Sequence, residues 1–212
     1  MLTPWPLQPL PIKVFVALCV ALEMVALAGA LAGWGSQARD VLVVFGGFWP
    51  DLLGPARPAY GAQPVLMFAT CVFLHGGPMH LFMNMVGLLW LGPLVVRRTR
   101  AAAFWPIAGV SALAAGGLFA LMATSGAPMV GASGVLFGFL GTVVAWHVLD
   151  MRARGEALVS LLPQAAFFIA LNVALTLVSP AGIAWQAHLG GFLGGALCGS
   201  LTWGRPALRR RS

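Results

Sequence analysis

The chain has 212 residues, 60% of them hydrophobic and only 8% charged, with a formal net charge of +7 and a mean hydropathy of +0.92. Too few polar residues remain to cover the outside of a soluble domain of this length, so composition excludes one and implies an all-α, polytopic membrane protein with one domain over residues 1–212. The apolar runs are long and continuous, which excludes a porin-like barrel, and the basic residues lie in short clusters between them, which argues against nucleic acid as a partner.

Six spans fit the hydropathy. The first runs from about Ile12 to Ala32. Lys13 and Ala28-Gly29-Ala30 give it a look of a signal peptide, but its length favours a retained span. Gly33 to Pro78 is a long connection with two apolar stretches too short to cross, Val41–Trp49 and Val65–Leu74, punctuated by Pro50, Pro55, Pro58 and Pro64. It reads as a partly embedded interfacial loop. The remaining spans are expected over 79–96, 101–124, 133–149, 158–178 and 187–203, followed by a short basic tail, 204–212.

With six spans, Lys13, Arg97, Arg98, Arg100, Arg152, Arg154, Arg205, Arg209, Arg210 and Arg211 all fall on one side, and only Arg39 and Arg57 on the other. The positive-inside rule then puts both termini in the cytoplasm. Trp34, Trp105, Trp146, Trp185 and Trp203 lie near span ends, as an interfacial belt requires. The compact chain suggests a bacterial inner (plasma) membrane. Cys19, Cys71 and Cys198 are scattered, with neither disulfide nor metal spacing, and no metal or cofactor is expected.

Polar groups recur inside three of these spans. Gly131-Ala132-Ser133-Gly134 opens the fourth, His80-Leu81-Phe82-Met83-Asn84 the second, and Ala187-His188 with Gly191 the sixth. Counted from the cytoplasmic arginines at about 1.5 Å per helical residue, His80 and His188 lie at about 25 Å, Ser133 at about 28 Å and Asn84 at about 20 Å. All four therefore gather near the outer leaflet of a core about 30 Å thick. His80, Asn84 and Gly87 share one helix face, as do His188, Gly191 and Gly195. Gly134 and Gly138 beside Ser133, with Gly191 and Gly195, would let backbones approach closely in lipid.

At these residues the chain resembles the rhomboid intramembrane serine proteases. The resemblance implies a six-transmembrane-helix bundle with Ser133 as nucleophile and His188 as general base. It also implies an oxyanion site made by His80, Asn84 and the Ser133 backbone N–H. Phe137 and Gly131 would support the base. Rhomboids often carry a tyrosine where this chain has Phe137, which keeps stacking but loses a phenolic hydrogen bond. The family's Trp-Arg pair in the first loop is not evident, with Phe48-Trp49 as a substitute. The acidic residue often found after the second span is missing from Val95-Val96-Arg97-Arg98.

The chemistry follows from the residues. A neutral imidazole can take the serine proton during attack and return it to the leaving amine. A third, carboxylate member has no good source: Asp150 and Glu156 fall at the cytoplasmic end, Glu23 at mid-depth, and Asp40 and Asp51 in the outer loop. A Ser-His dyad is therefore expected. The implied substrates are single-pass transmembrane proteins within the lipid bilayer, cut near the outer face where helices carry Gly, Pro or polar residues. The rival readings are a catalytically inactive rhomboid-like protein that binds transmembrane helices, and a small transporter or channel. Glu23 is expected to make a structural hydrogen bond to a neighbour. His75 reads as structural and His147 as interfacial.

Overall fold

A computed structural model of the chain describes residues 7–122, 126–163, 166, 169–170 and 184–204. Its described residues form seven α-helices joined by short 3₁₀ turns: α1 Leu10–Gly29, α2 Gln37–Gly46, α3 Gln63–Thr70, α4 Pro78–Arg98, α5 Phe104–Met122, α6 Ser133–Ala153 and α7 Trp185–Thr202. Prolines start several of them. Pro11, Pro64 and Pro78 sit in first turns, where no backbone N–H is needed.

Among the described residues, four helical segments are long and apolar enough to cross a membrane: Leu10–Trp34, Pro78–Arg98, Ala101–Met122 and Ser133–Ala153. The protein is therefore an integral membrane protein. These segments match the first four expected spans, with ends shifted by a few residues. The first continues into a π-helical segment, Ala30–Trp34, within which Gly33 at φ 90° breaks the helical path. The expected fifth span, 158–178, lies mostly outside the described residues. The segment expected as the sixth is helical, α7, but is not among these four, because Gln186, His188 and five buried glycines dilute its hydropathy.

The connection between α1 and α4 is built rather than loose. Its two apolar stretches form α2 and the α3 turn. The buried Gln63 side chain accepts from the Ala59 N–H and donates to the Val44 carbonyl, and Thr70 Oγ1 donates to the Gly46 carbonyl. Fully buried Phe48 meets Phe68 edge-on and packs near Phe119, so the loop shares the helical core.

α6 and α7 touch backbone to backbone. A Cβ added at Gly191 would lie 2.0 Å from the Gly134 carbonyl oxygen, and one at Gly195 would lie 1.7 Å from that of Gly138. On the other side of α7, a Cβ at Gly190 would lie 2.3 Å from the Ala114 oxygen on α5. Only glycine permits such approach, and the reward is dispersion contact plus a cross-helix hydrogen bond from Thr142 Oγ1 to the Gly195 carbonyl at 2.8 Å. At the opposite end of α6 from Ser133, Arg98 forms a two-bond ion pair with Asp150 and lies over the Trp146 ring. Trp146 thus departs from the expected belt: it is buried and donates to Thr202 Oγ1.

Candidate active site

Ser133 is the first residue of α6. The first bond of that helix is made by the Leu136 N–H to the Ala132 carbonyl, so the Ser133 N–H has no partner within the helix. The preceding segment is fixed at two places. Met129 exchanges both backbone hydrogen bonds with Phe48, and the Gly131 N–H donates to the Cys71 carbonyl at 2.9 Å. The tight α6–α7 packing then brings His188 to the serine. His188 Nε2 lies 2.9 Å from Ser133 Oγ across 55 residues of sequence. The His188 ring is buried and lies parallel to Phe137, with centroids 4.3 Å and planes 8° apart.

His80 and Asn84 lie on α4 one turn apart. The Gly76 N–H donates to His80 Nδ1 at 3.2 Å. A backbone N–H can only donate, so Nδ1 is bare and the His80 proton sits on Nε2. That nitrogen faces the serine. An ideal Cβ on Gly131 would lie 2.9 Å from His80 Nε2 and 3.9 Å from Ser133 Oγ. His80 Cε1 would be nearer still, at 2.8 Å, so no side chain fits at Gly131, φ 125°, and its bare Cα keeps the gap between the imidazole and the hydroxyl open. Asn84 is buried; its Nδ2 donates to the His80 carbonyl at 2.8 Å, and its Oδ1 has no partner.

Four of the five acids have polar side-chain partners among the described residues. Glu23 pairs with Arg39, Asp40 accepts from Ser36, Asp150 binds Arg98 and Trp203, and Glu156 binds Arg154. Asp51 sits in the 3₁₀ turn Pro50–Leu53, beside Gly126.

Two features near the site were not anticipated from sequence. Arg39 on α2 clamps buried Glu23 of α1 with two hydrogen bonds, at 2.8 and 2.6 Å, and also donates to the His75 carbonyl. The bond to Glu23 raises the Arg39 pKa. Glu23 thus makes the structural bond expected of it, and the signal for its partner was present: an intraspan acid needs a cation, and Arg39 is one of only two basic residues assigned to the opposite side from all the others. His75 itself is buried, packed edge-on to His80 at 5.2 Å, and burial and then His80 push its pKa down to about 4. His147 is exposed near the end of α6.

A half-buried serine hydroxyl set against a buried imidazole within an apolar helical bundle is the arrangement that an intramembrane serine hydrolase would need. Comparison with known proteins specifies it. The family model of the Rhomboid domain matches residues 62–205. RHOMBOID-like protein 1 of Arabidopsis thaliana is 31% identical over 140 residues, 65% of this chain and 34% of that protein. RHOMBOID-like protein 7 of the same plant is 32% identical over 152 residues, 68% and 45%. Rhomboid-like protease 5 of Toxoplasma gondii is 33% identical over 139 residues, 62% and 15%. This chain belongs to the rhomboid family, which consists generally of intramembrane serine proteases. It spans less than half the length of the curated relatives it matches.

Proposed function

We propose that the protein is a serine endopeptidase that cleaves single-pass transmembrane proteins near the outer membrane face through a Ser133–His188 dyad. The observation that carries this reading is the 2.9 Å contact between Ser133 Oγ and His188 Nε2. That distance lies within hydrogen-bond range for a nucleophile and its base.

In the reaction, His188 Nε2 takes the hydroxyl proton as Ser133 Oγ bonds to the scissile carbonyl carbon. The carbonyl π electrons move onto oxygen. The oxyanion is held in the space beside Gly131 by His80 Nε2–H and the Ser133 N–H, with Asn84 as the third donor. Collapse expels the amine, which takes the proton from His188, and leaves an acyl-serine. Water, deprotonated by His188, attacks that ester and releases the second product with the serine restored. The dyad works without a carboxylate step, and Phe137 helps to orient the base by stacking.

The positive-inside pattern supports six spans with both termini in the cytoplasm and the site near the outer surface, where water is available. A bacterial plasma membrane is the location this reading favours. The test is cleavage of a model transmembrane substrate in reconstituted bilayers by the wild type, Ser133→Ala and His188→Ala. Each variant should lose at least about 10⁴-fold in kcat. A serine-directed fluorophosphonate should label the wild type at Ser133. Equal cleavage by all three proteins, or a wild type that binds helices without cleaving or reacting, would overturn the proposal.

A further inference from the structure

The Glu23–Arg39 pair has a third partner, and that partner leads back to the site. Arg39 donates through one nitrogen to both Glu23 and the His75 carbonyl. The His75 carbonyl and the Gly76 N–H belong to one planar peptide unit. The Gly76 N–H in turn donates to His80 Nδ1. Five groups thus form one line: the Glu23 carboxylate, the Arg39 guanidinium, the His75–Gly76 peptide, the His80 ring and the space beside Ser133 left by Gly131.

We infer that Glu23 and Arg39 are positioning residues for the His80 oxyanion donor, acting through the His75–Gly76 peptide. The inference deepens the protease reading above and rests on it. The physical reason has two parts. A cation on the carbonyl end of a peptide polarises it and strengthens its N–H as a donor. That N–H can be accepted only by a bare Nδ1, so it fixes the single His80 tautomer with hydrogen on Nε2 and sets the plane of the ring. The glycine-rich turn His75-Gly76-Gly77, with Gly77 at φ 151°, has no helix to hold it, and the ion pair supplies the anchor. Glu23 serves by holding the guanidinium: it is buried on α1, so its carboxylate stays where the span puts it.

The simpler alternative is that the pair only staples α1 to α2. The two accounts part in what they require. A staple needs Glu23 and Arg39 alone; a positioning role makes the His80 tautomer depend on them.

The first measurement is ¹⁵N NMR of histidine-labelled wild-type protein, with His80 assigned by difference against His80→Asn. A proton on Nε2 and a bare Nδ1 are expected; a proton on Nδ1 overturns the inference without any change to the pair. The second uses Glu23→Leu/Arg39→Met, which removes both charges together, because replacing a buried pair by apolar residues is often neutral for stability whereas removing one partner is not. In this variant kcat should fall about ten- to a hundredfold, less than the roughly 10²–10³-fold expected for deleting an oxyanion donor outright. KM should stay within about twofold, and the His80 signal should spread over both tautomers. Fluorophosphonate labelling to completion counts the folded sites. Wild-type kcat and an unchanged His80 signal in fully labelled variant would leave the pair as a staple and overturn the inference. A wild type that neither cleaves nor labels would instead defeat the protease reading, and the NMR measurement would still decide the tautomer.

Discussion

His188 lies flat against Phe137, its ring centroid 4.3 Å away and the two planes 8° apart. Phe137 follows Ser133 by one helical turn on α6, while His188 comes from α7. The stack therefore holds the imidazole against the same helix that carries the hydroxyl. Packing against this ring thus contributes to the orientation of the base. Such a stack contributes about 0.5–1.5 kcal/mol beyond area burial. Phe137→Ala should lower kcat about tenfold, since roughly 1.4 kcal/mol is a factor of ten. Phe137→Tyr should retain activity, because the ring face is unchanged. Cleavage kinetics of the two variants check this.

Gly131→Ala should abolish cleavage while the fold survives. The new methyl would occupy the space 2.9 Å from His80 Nε2 where the oxyanion is proposed to sit, and φ 125° is strained for any L side chain. The strain costs on the order of 1–3 kcal/mol. Circular dichroism should report an intact helical protein, and fluorophosphonate labelling should be lost with cleavage.

Gly195→Val should prevent folding. Its Cβ would fall 1.7 Å from the Gly138 carbonyl oxygen, and the nearest atoms are all α6 backbone, which cannot turn aside as a side chain could. The cost should reach about 3 kcal/mol or more. Gly109→Ala on α5 is the contrast, since a Cβ there meets nothing within 4 Å. It should leave the thermal midpoint unchanged or raise it, because alanine is favoured over glycine in a helix by roughly 1 kcal/mol. Thermal unfolding in detergent separates the two.

His75 should make the protein weaker in mild acid. Its folded pKa is lowered to about 4, first by burial and then by His80, with Glu23 opposing and Arg39 assisting to a smaller extent. Between that value and the unfolded value of about 6.5, the unfolded chain binds more protons. The stabilisation is thus complete above about pH 6.5 and lost as pH falls towards 4. From pH 7 to pH 5 the loss from this group should be about 2 kcal/mol. Thermal midpoints at the two pH values should differ more in the wild type than in His75→Gln; an equal difference would exclude His75 as the source.

Much of this protein is legible along the chain. Continuous apolar runs located the first four spans to within a few residues, because a lipid-facing helix must be apolar all round. The same logic marked Ser133, His80, Asn84 and His188, since a polar group inside an apolar run is costly and conspicuous. Counting residues from the arginines even brought them to one depth. The connection between α1 and α4 was harder to read. Its helices are short, and what fixes them are long-range contacts such as the Phe48–Met129 bridge and the Gln63 hydrogen bonds, which have no local periodicity.

The sequence by itself determined that this is a helical membrane protein and which side chains could do chemistry, because the cost of polar groups in lipid is a property of each residue. Only the tertiary structure decided which of them meet. The 2.9 Å between Ser133 and His188 depends on glycines of α6 and α7 touching backbone to backbone, and the clamp of Arg39 on Glu23 and His75 depends on where α2 folds back. Distances between residues 55 or 36 positions apart are set by how whole helices pack, and no residue carries that information alone.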